Sequence, residues 1–346
     1  MPLDNRKLKI LNAIVESYIL TGEPVASKRL AQMLDVSVSP ATVRNDMAVL
    51  FDMGLLEQPH TSAGRVPSHL GYRVYVDRLM RRKPLSVEEK RQIDALFNVR
   101  DPDPDKLLED SAAALADLTG CAAFTLTTTP RHVRVQRVEV VPVNATVVVL
   151  LIWATNGVVK TQVCRLDFTI NRDIVEFFTK FANDRFSGKT LREISYEYVG
   201  AVSISLGEYA KVFTPLLVSI YELCLKIYEG QFFIAGTTNL LAYQEFYGVA
   251  HDLLTLISRR EEIGGLVASQ TMPVQLHIGK ENSHFELVNA AVLVEKFKIG
   301  PDDCGAIGVV GPVRIDYASL LPHVDYFAQT LGKLLTDTLE QNESPD

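Results

Sequence analysis

The first 83 residues constrain this chain more than any other segment, because their helix starts and stops can be read one by one. Leu8, Leu11, Ile14, Val15, Tyr18 and Ile19 recur at helical spacing over about residues 5–20, and Gly22 and Pro24 follow as they do at helix exits. Ser27 is placed to cap a short second helix with Leu30, Ala31 and Leu34 facing inward, and residues 35–38 form a tight connection. Ser39-Pro40 then opens a third helix. A hydroxyl cap precedes a proline whose missing N–H costs nothing at the first helical position. This helix runs to about Met53 and stops at Gly54. Residues 55–58 and 65–67 read as short strands around a polar loop, PHTSAG, and Ser68 caps a further helix that ends in Arg81-Arg82-Lys83 before Pro84. Three helices followed by a two-stranded ribbon is the plan of a winged helix-turn-helix.

Charge is distributed to match. Residues 1–83 carry 12 Lys/Arg against 8 Asp/Glu, a net of +4, while the rest carries 23 against 34, a net of −11. A basic head on an acidic body suits a protein that offers one face to phosphate and repels it elsewhere. At 346 residues the chain needs two or three cores, and an apolar fraction of 47% can fill them. The longest apolar run, 147–154, is too short to span a bilayer and reads as a buried strand. The polar N-terminus lacks a signal-peptide core, so the expected location is the cytoplasm. Cys121, Cys164, Cys224 and Cys304 are far apart and read as buried thiols rather than a disulfide or zinc framework.

Beyond Pro84, residues 86–98 and 103–118 read as helices, and strand patterns follow at 121–127, 133–143, 146–154 and 158–166, with an Asn156-Gly157 hairpin turn. Residues 168–270 turn mostly helical, strands return at 274–278, 285–294 and 304–310, and a last helix covers about 320–339. Strands, helices and strands again predict an α+β multidomain chain in which one domain is interrupted by an inserted module, because the last strands have no other partners. Three domains in simple succession is the alternative.

The third helix carries the candidate chemistry. Val43, Met47 and Leu50 form its core face, while Ala41, Asn45 and Ala48 lie opposite, flanked by Thr42 and Arg44. A major groove accepts such a face: Arg can bond guanine and Asn adenine bidentately, and the alanines allow close approach. Ser39 and the first-turn amides can hold a phosphate. In the loop and its exit, His60, Thr61, Ser62, Gly64 and Arg65 are small, polar or basic, which suits a segment lying along a nucleic-acid backbone or minor groove. One capped amphipathic helix occurs in many folds. The ordered set of three helices and a ribbon is the stronger signal.

The stretch PHTSAGRVPSHLGYRVYVD at 59–77 closely resembles the wing and following helix of the HrcA-type heat-inducible repressors of bacteria, and SPATVRNDMAVLFDMGLLEQ at 39–58 resembles their recognition helix. GTTNLL at 236–241, HIGKEN at 277–282 and GAIGVVGPVRIDY at 305–317 resemble later signatures of that family, so the likeness covers essentially the whole chain. It implies a repressor of chaperone operons that binds double-stranded DNA at an inverted-repeat operator, the CIRCE element, and is modulated by a GroEL-type chaperonin. It also implies a GAF-like α/β domain interrupted by a mostly helical dimerising insertion. The expected organisation is a winged helix-turn-helix at 1–83, a GAF-like domain in two parts at 84–167 and 271–340, and the insertion at 168–270, with Phe177, Phe178 and Tyr221 as candidates for the homodimer contact.

Enzyme motifs are missing. No Gly-Lys-Ser/Thr follows Gly279 or the glycines at 305–311, the seven histidines form no H-x-x-x-H pair, and there is no G-x-S-x-G elbow. No catalytic residue, metal or cofactor is expected. Two other readings stay open: a regulator sensing a small molecule in the GAF-like domain, and an enzyme with an appended winged helix, which would need a nucleotide-binding loop.

Overall fold

The computed structural model describes residues 3–34, 39–60, 63–97, 103–268, 274–300 and 303–342 and shows a mixed α+β protein. The chain divides into two compact units. One comprises Met1–Thr125, Phe233–Phe297 and Ala306–Leu331, and the other Leu126–Phe232, Lys298–Gly305 and Gly332–Asp346.

The N-terminal elements are α1 (Asn5–Thr21), α2 (Ser27–Met33), α3 (Pro40–Asp52), the antiparallel pair β1 (Leu56–Glu57) and β2 (Val66–Pro67), and α4 (His69–Val74). Their ends follow the local chemistry. Asp4 accepts the Lys7 amide at 2.9 Å, left-handed Gly22 closes α1, Ser39 accepts the Thr42 amide at 3.2 Å, and Ser68 accepts the Gly71 amide at 3.0 Å. Two expectations change. Ser27 is the first residue of α2, and Ala26 takes the cap position with no side-chain bond. The helix after the ribbon widens into a π turn at Tyr75–Leu79 and stops before Lys83, whose amide instead donates to the Ala318 carbonyl at 2.9 Å. A tertiary hydrogen bond there replaces the next helical turn. The tight connection expected at 35–38 lies outside the described residues.

The following elements are α5 (Val87–Leu96), α6 (Pro104–Thr119), β3 (Ala122–Thr128), β4 (Val135–Asn144), β5 (Val147–Ala154), β6 (Val159–Arg165), α7 (Arg172–Phe186), α8 (Tyr196–Ile204), α9 (Ala210–Glu229), β7 (Phe232–Ala235), α10 (Ala250–Ile257), α11 (Arg260–Ala268), β8 (Val274–Ile278), β9 (Ala290–Ile299), β10 (Asp303–Pro312) and α12 (Tyr317–Asn342). One sheet has the order β7-β3-β10-β9-β8 and another β4-β5-β6. The strand expected at 285–294 starts later, at Ala290, because Phe285–Leu287 forms a short 3-10 turn.

The strands β4 to β6 were expected in the first part of the interrupted domain. They pair with one another instead, and their inner face (Val138, Val148, Leu150, Ile152) shares a core with Phe178 and Phe186 of α7 and Leu217 and Ile220 of α9. The continuous stretch of this unit is Leu126–Phe232, and α10 and α11 fall in the other unit. Hydrophobic alternation marks a strand but not which sheet it joins. Phe178, expected at an exposed contact, is buried, whereas Phe177 is half exposed. Cys121, Cys164 and Cys224 are buried and Cys304 is exposed, unlike the expectation for it. Burial pushes the Cys121 thiol up to about 11 and the Cys224 thiol up to about 12, so both stay protonated.

Candidate nucleic-acid interface

Two faces of α3 do different work. Val43, Met47 and Leu50 are buried with Ile10, Leu11, Ile14 and Val15 of α1 and Leu30 of α2 in one cluster. The hydrophobic stripe at i, i+4 and i+7 thus fixes the roll of α3 and turns Ala41, Arg44, Asn45 and Ala48 to solvent, with Thr42 half-buried. Asp46 sits on the inward side and is 5% exposed. It accepts from Arg6 Nε at 2.7 Å and from a terminal nitrogen of Arg6 at 3.1 Å, with Lys7 Nζ 3.9 Å away. This fork ties α3 to α1 and holds the roll against slippage. Sequence reading missed it, although a lone carboxylate on an apolar face is the pattern of a paired one.

Ser39 is exposed and already committed as a cap. Its hydroxyl lies 2.9 Å from that of Thr42, so the two form a small polar knob at the N-terminus of α3.

The ribbon is held beside α3 by backbone and ring contacts. Arg65 bridges Val25, with N–H···O distances of 2.9 and 3.0 Å in the two directions. A Cβ on Gly64 would come within 2.4 Å of the Val25 carbonyl oxygen, so this position needs glycine for close packing. The Arg65 guanidinium lies 4.7 Å from the Phe51 ring centroid. Phe51 is 41% exposed at the end of α3, three residues beyond Ala48, and it was not among the expected site residues. Its signal was positional, an aromatic on the solvent side of a helix. The stack places a fixed cation at the edge of the exposed α3 face. His60 is exposed, and its carbonyl accepts the Ala63 amide at 2.9 Å. Thr61 and Ser62 lie outside the described residues.

The exposed face of α3 carries Ala41, Arg44, Asn45 and Ala48, with Ser39 and Thr42 at the helix start, and Arg65 stacks on Phe51 at the end of the same helix. What it can do chemically is donate hydrogen bonds and present positive charge over a surface with small residues. Among the described residues no group of three His, Cys, Asp or Glu could hold a metal ion, and no helix is long and apolar enough to cross a membrane.

Known proteins fix the class. The chain is similar to curated bacterial proteins described as heat-inducible transcription repressors. It is 31% identical to that of Thermoanaerobacter pseudethanolicus over 97% of this chain and 98% of the relative, and 32% identical to that of Halalkalibacterium halodurans over 98% and 100%. Residues 105–321 match the HrcA protein C terminal domain. The chain belongs to the HrcA family, a family of transcription repressors and not of enzymes. A crystal structure at 2.2 Å of a protein described only as hypothetical shares the fold, with a TM-score of 0.67 at 24% identity, covering 97% of this chain and 100% of that one.

Proposed function

We propose that this protein is a dimeric repressor of heat-shock chaperone operons that works in the cytoplasm. On this reading, residues 1–83 form a winged helix-turn-helix that binds an inverted-repeat, CIRCE-type operator. The observation that carries the reading is the exposed α3 face, where Arg44 and Asn45 stand between Ala41 and Ala48, with Arg65 fixed on Phe51 beside them. Arg44 and Asn45 would read base edges. Ser39, Thr42, His60, Thr61, Ser62, Gly64 and Arg65 would meet or set the approach to the backbone.

An inverted repeat calls for a two-fold reader. The segment Leu126–Phe232 is the proposed dimerising insertion in a GAF-like domain, and its outer sheet face suits the contact. Val141, Val149 and Val163 align across the three strands there, and Val163 is 69% and Trp153 44% exposed. A GroEL-type chaperonin would set the amount of active repressor by capturing unfolded chains, so that heat, by occupying it with other clients, releases the chaperone genes. The test is a gel shift of the purified protein on an inverted-repeat operator, with and without chaperonin, together with sedimentation of Val163→Lys. Operator-specific shifts enhanced by chaperonin, and a monomeric Val163→Lys, are expected. Equal affinity for random duplex would defeat the reading.

A further inference from the structure

A second surface of the first unit has the makings of a partner site, and it is separate from the exposed face of α3. A groove of about 1180 Å³ runs along α1 from Asn5 to Leu20 and is closed by the π turn and the segment after it. At 1.5 Å per residue this wall is about 24 Å long, enough for several turns of a bound helix. Its cations are Lys9, Arg78, Arg81, Arg82 and Lys83, against the two carboxylates Glu16 and Asp316. Lys83 is satisfied by Asp316 at 2.8 Å, and Arg82 acts on buried Glu295. Lys9, Arg78 and Arg81 are exposed and have no ion-pair partner among the described residues. The same groove exposes apolar surface: Leu20 is 85% and Met33 47% exposed, with Ile19 and Leu34 half-buried beside them.

We infer that this groove binds an acidic amphipathic segment of a partner protein, laid along α1 with its apolar side on Leu20 and Met33 and its carboxylates on Lys9, Arg78 and Arg81. Unpaired cations beside exposed leucine and methionine fit a ligand that carries both kinds of surface. A duplex would satisfy the cations and leave Leu20 and Met33 against charged backbone. None of Ala41, Arg44, Asn45, Ala48 and Arg65 lines the groove, so a segment held there leaves the α3 face open. The site also borders the Lys83–Asp316 link, where the helical head meets α12.

The probe is a fluorescein-labelled helical peptide of leucine and glutamate with the leucines on one side, titrated against the full chain by anisotropy. Controls are the same composition with leucines scattered, the lysine-for-glutamate version, and a random duplex competitor. Saturable binding of the amphipathic peptide alone is expected. It should weaken about tenfold or more in Arg78→Glu/Arg81→Glu and again in Leu20→Ser/Met33→Ser, while the preference for operator over random duplex is kept by both variants. Absence of saturable binding, or binding that ignores the Leu20 and Met33 changes and is displaced by duplex, would overturn the inference, the second outcome marking a nucleic-acid surface. Operator binding is read separately, so failure of the groove leaves the α3 reading standing.

Discussion

Arg73, on the helix after the ribbon, grips Glu281 in the turn after β8 with two guanidinium nitrogens: Nε donates to Oε1 at 2.8 Å and a terminal nitrogen donates to Oε2. The same guanidinium donates to the Leu276 carbonyl at 2.5 Å, and Glu281 also accepts the Ile278 amide at 2.8 Å. Tyr72 and Tyr317 meet edge to face beside it, in the cluster that contains Ile278 and the α1 to α3 core. The N-terminal helices therefore share a core with β8, β9 and α12.

Glu281→Gln should cost about 1–2 kcal/mol, since bidentate charge-assisted bonds are lost at a partly exposed site. Burial pushes the Glu281 carboxyl up, but the Arg73 and Ile278 hydrogen bonds and the charges of Arg73 and His277 outweigh it and hold it below its usual 4.5. A depressed carboxyl stabilises the fold above its unfolded value, and that stability is lost as pH falls through the folded one. Denaturation from pH 7 to pH 3 should show a shallower acid loss in Glu281→Gln than in the wild type. Parallel curves would remove the pair from the acid response.

Gly64→Ala should damage the ribbon without touching α3. The added methyl meets the Val25 carbonyl at 2.4 Å, so the Val25–Arg65 bridge must open and the Arg65–Phe51 stack with it. Amide exchange at Val25 and Arg65 should speed up, and duplex affinity should fall, while α1 stays protected. Unchanged exchange at both amides would show that the backbone accommodates the methyl.

Burial pushes the Glu295 carboxyl up to about 8, helped by a hydrogen bond and charge from Asp325 and opposed by Arg82. The folded chain then holds a proton that the unfolded chain gives up near 4.5, so this group lowers stability as pH rises through that interval, with the loss complete above about 8. Glu295→Gln keeps a donor for Asp325 and removes the titration. Its stability between pH 5 and pH 9 should be flatter than wild type and higher at the alkaline end. Identical slopes would place the proton elsewhere.

Leu150 is fully buried on the inner face of β5, in the unit that holds Leu126–Phe232. Leu150→Ala should cost about 2–5 kcal/mol. If repression is limited by folding, the variant should derepress at lower temperature and recover with surplus chaperonin. Operator occupancy against temperature at fixed chaperonin checks this. Equal curves despite a confirmed stability loss would point to a small-molecule signal.

The head was legible because its signals are local. Ser39-Pro40, Gly22, Gly54 and Ser68 act within a few residues, and the spacing of Val43, Met47 and Leu50 sets the exposed face of α3. What escaped was non-local. Nothing around Asp46 names Arg6 as its partner, nothing around Phe51 announces Arg65, and alternation in 135–165 cannot say that these strands pair among themselves while β3 joins β10. The close approach at Gly64 is likewise set by Val25, far away in sequence. The Ala318 carbonyl that takes the Lys83 amide beyond the π turn is likewise a distant partner that no local signal encodes.

The most direct measurement is equilibrium binding of wild type, Arg44→Ala and Arg65→Ala to an inverted-repeat operator and to random duplex across a salt series. Arg44→Ala should lose about 1–3 kcal/mol on the operator and little on random duplex, because a base contact is lost. Arg65→Ala should weaken both alike and lower the salt slope by roughly one unit, because a phosphate contact is lost. Wild-type affinities for the two duplexes that do not differ, with neither substitution changing them, would contradict the assignment of α3 and the ribbon as the DNA-reading surface.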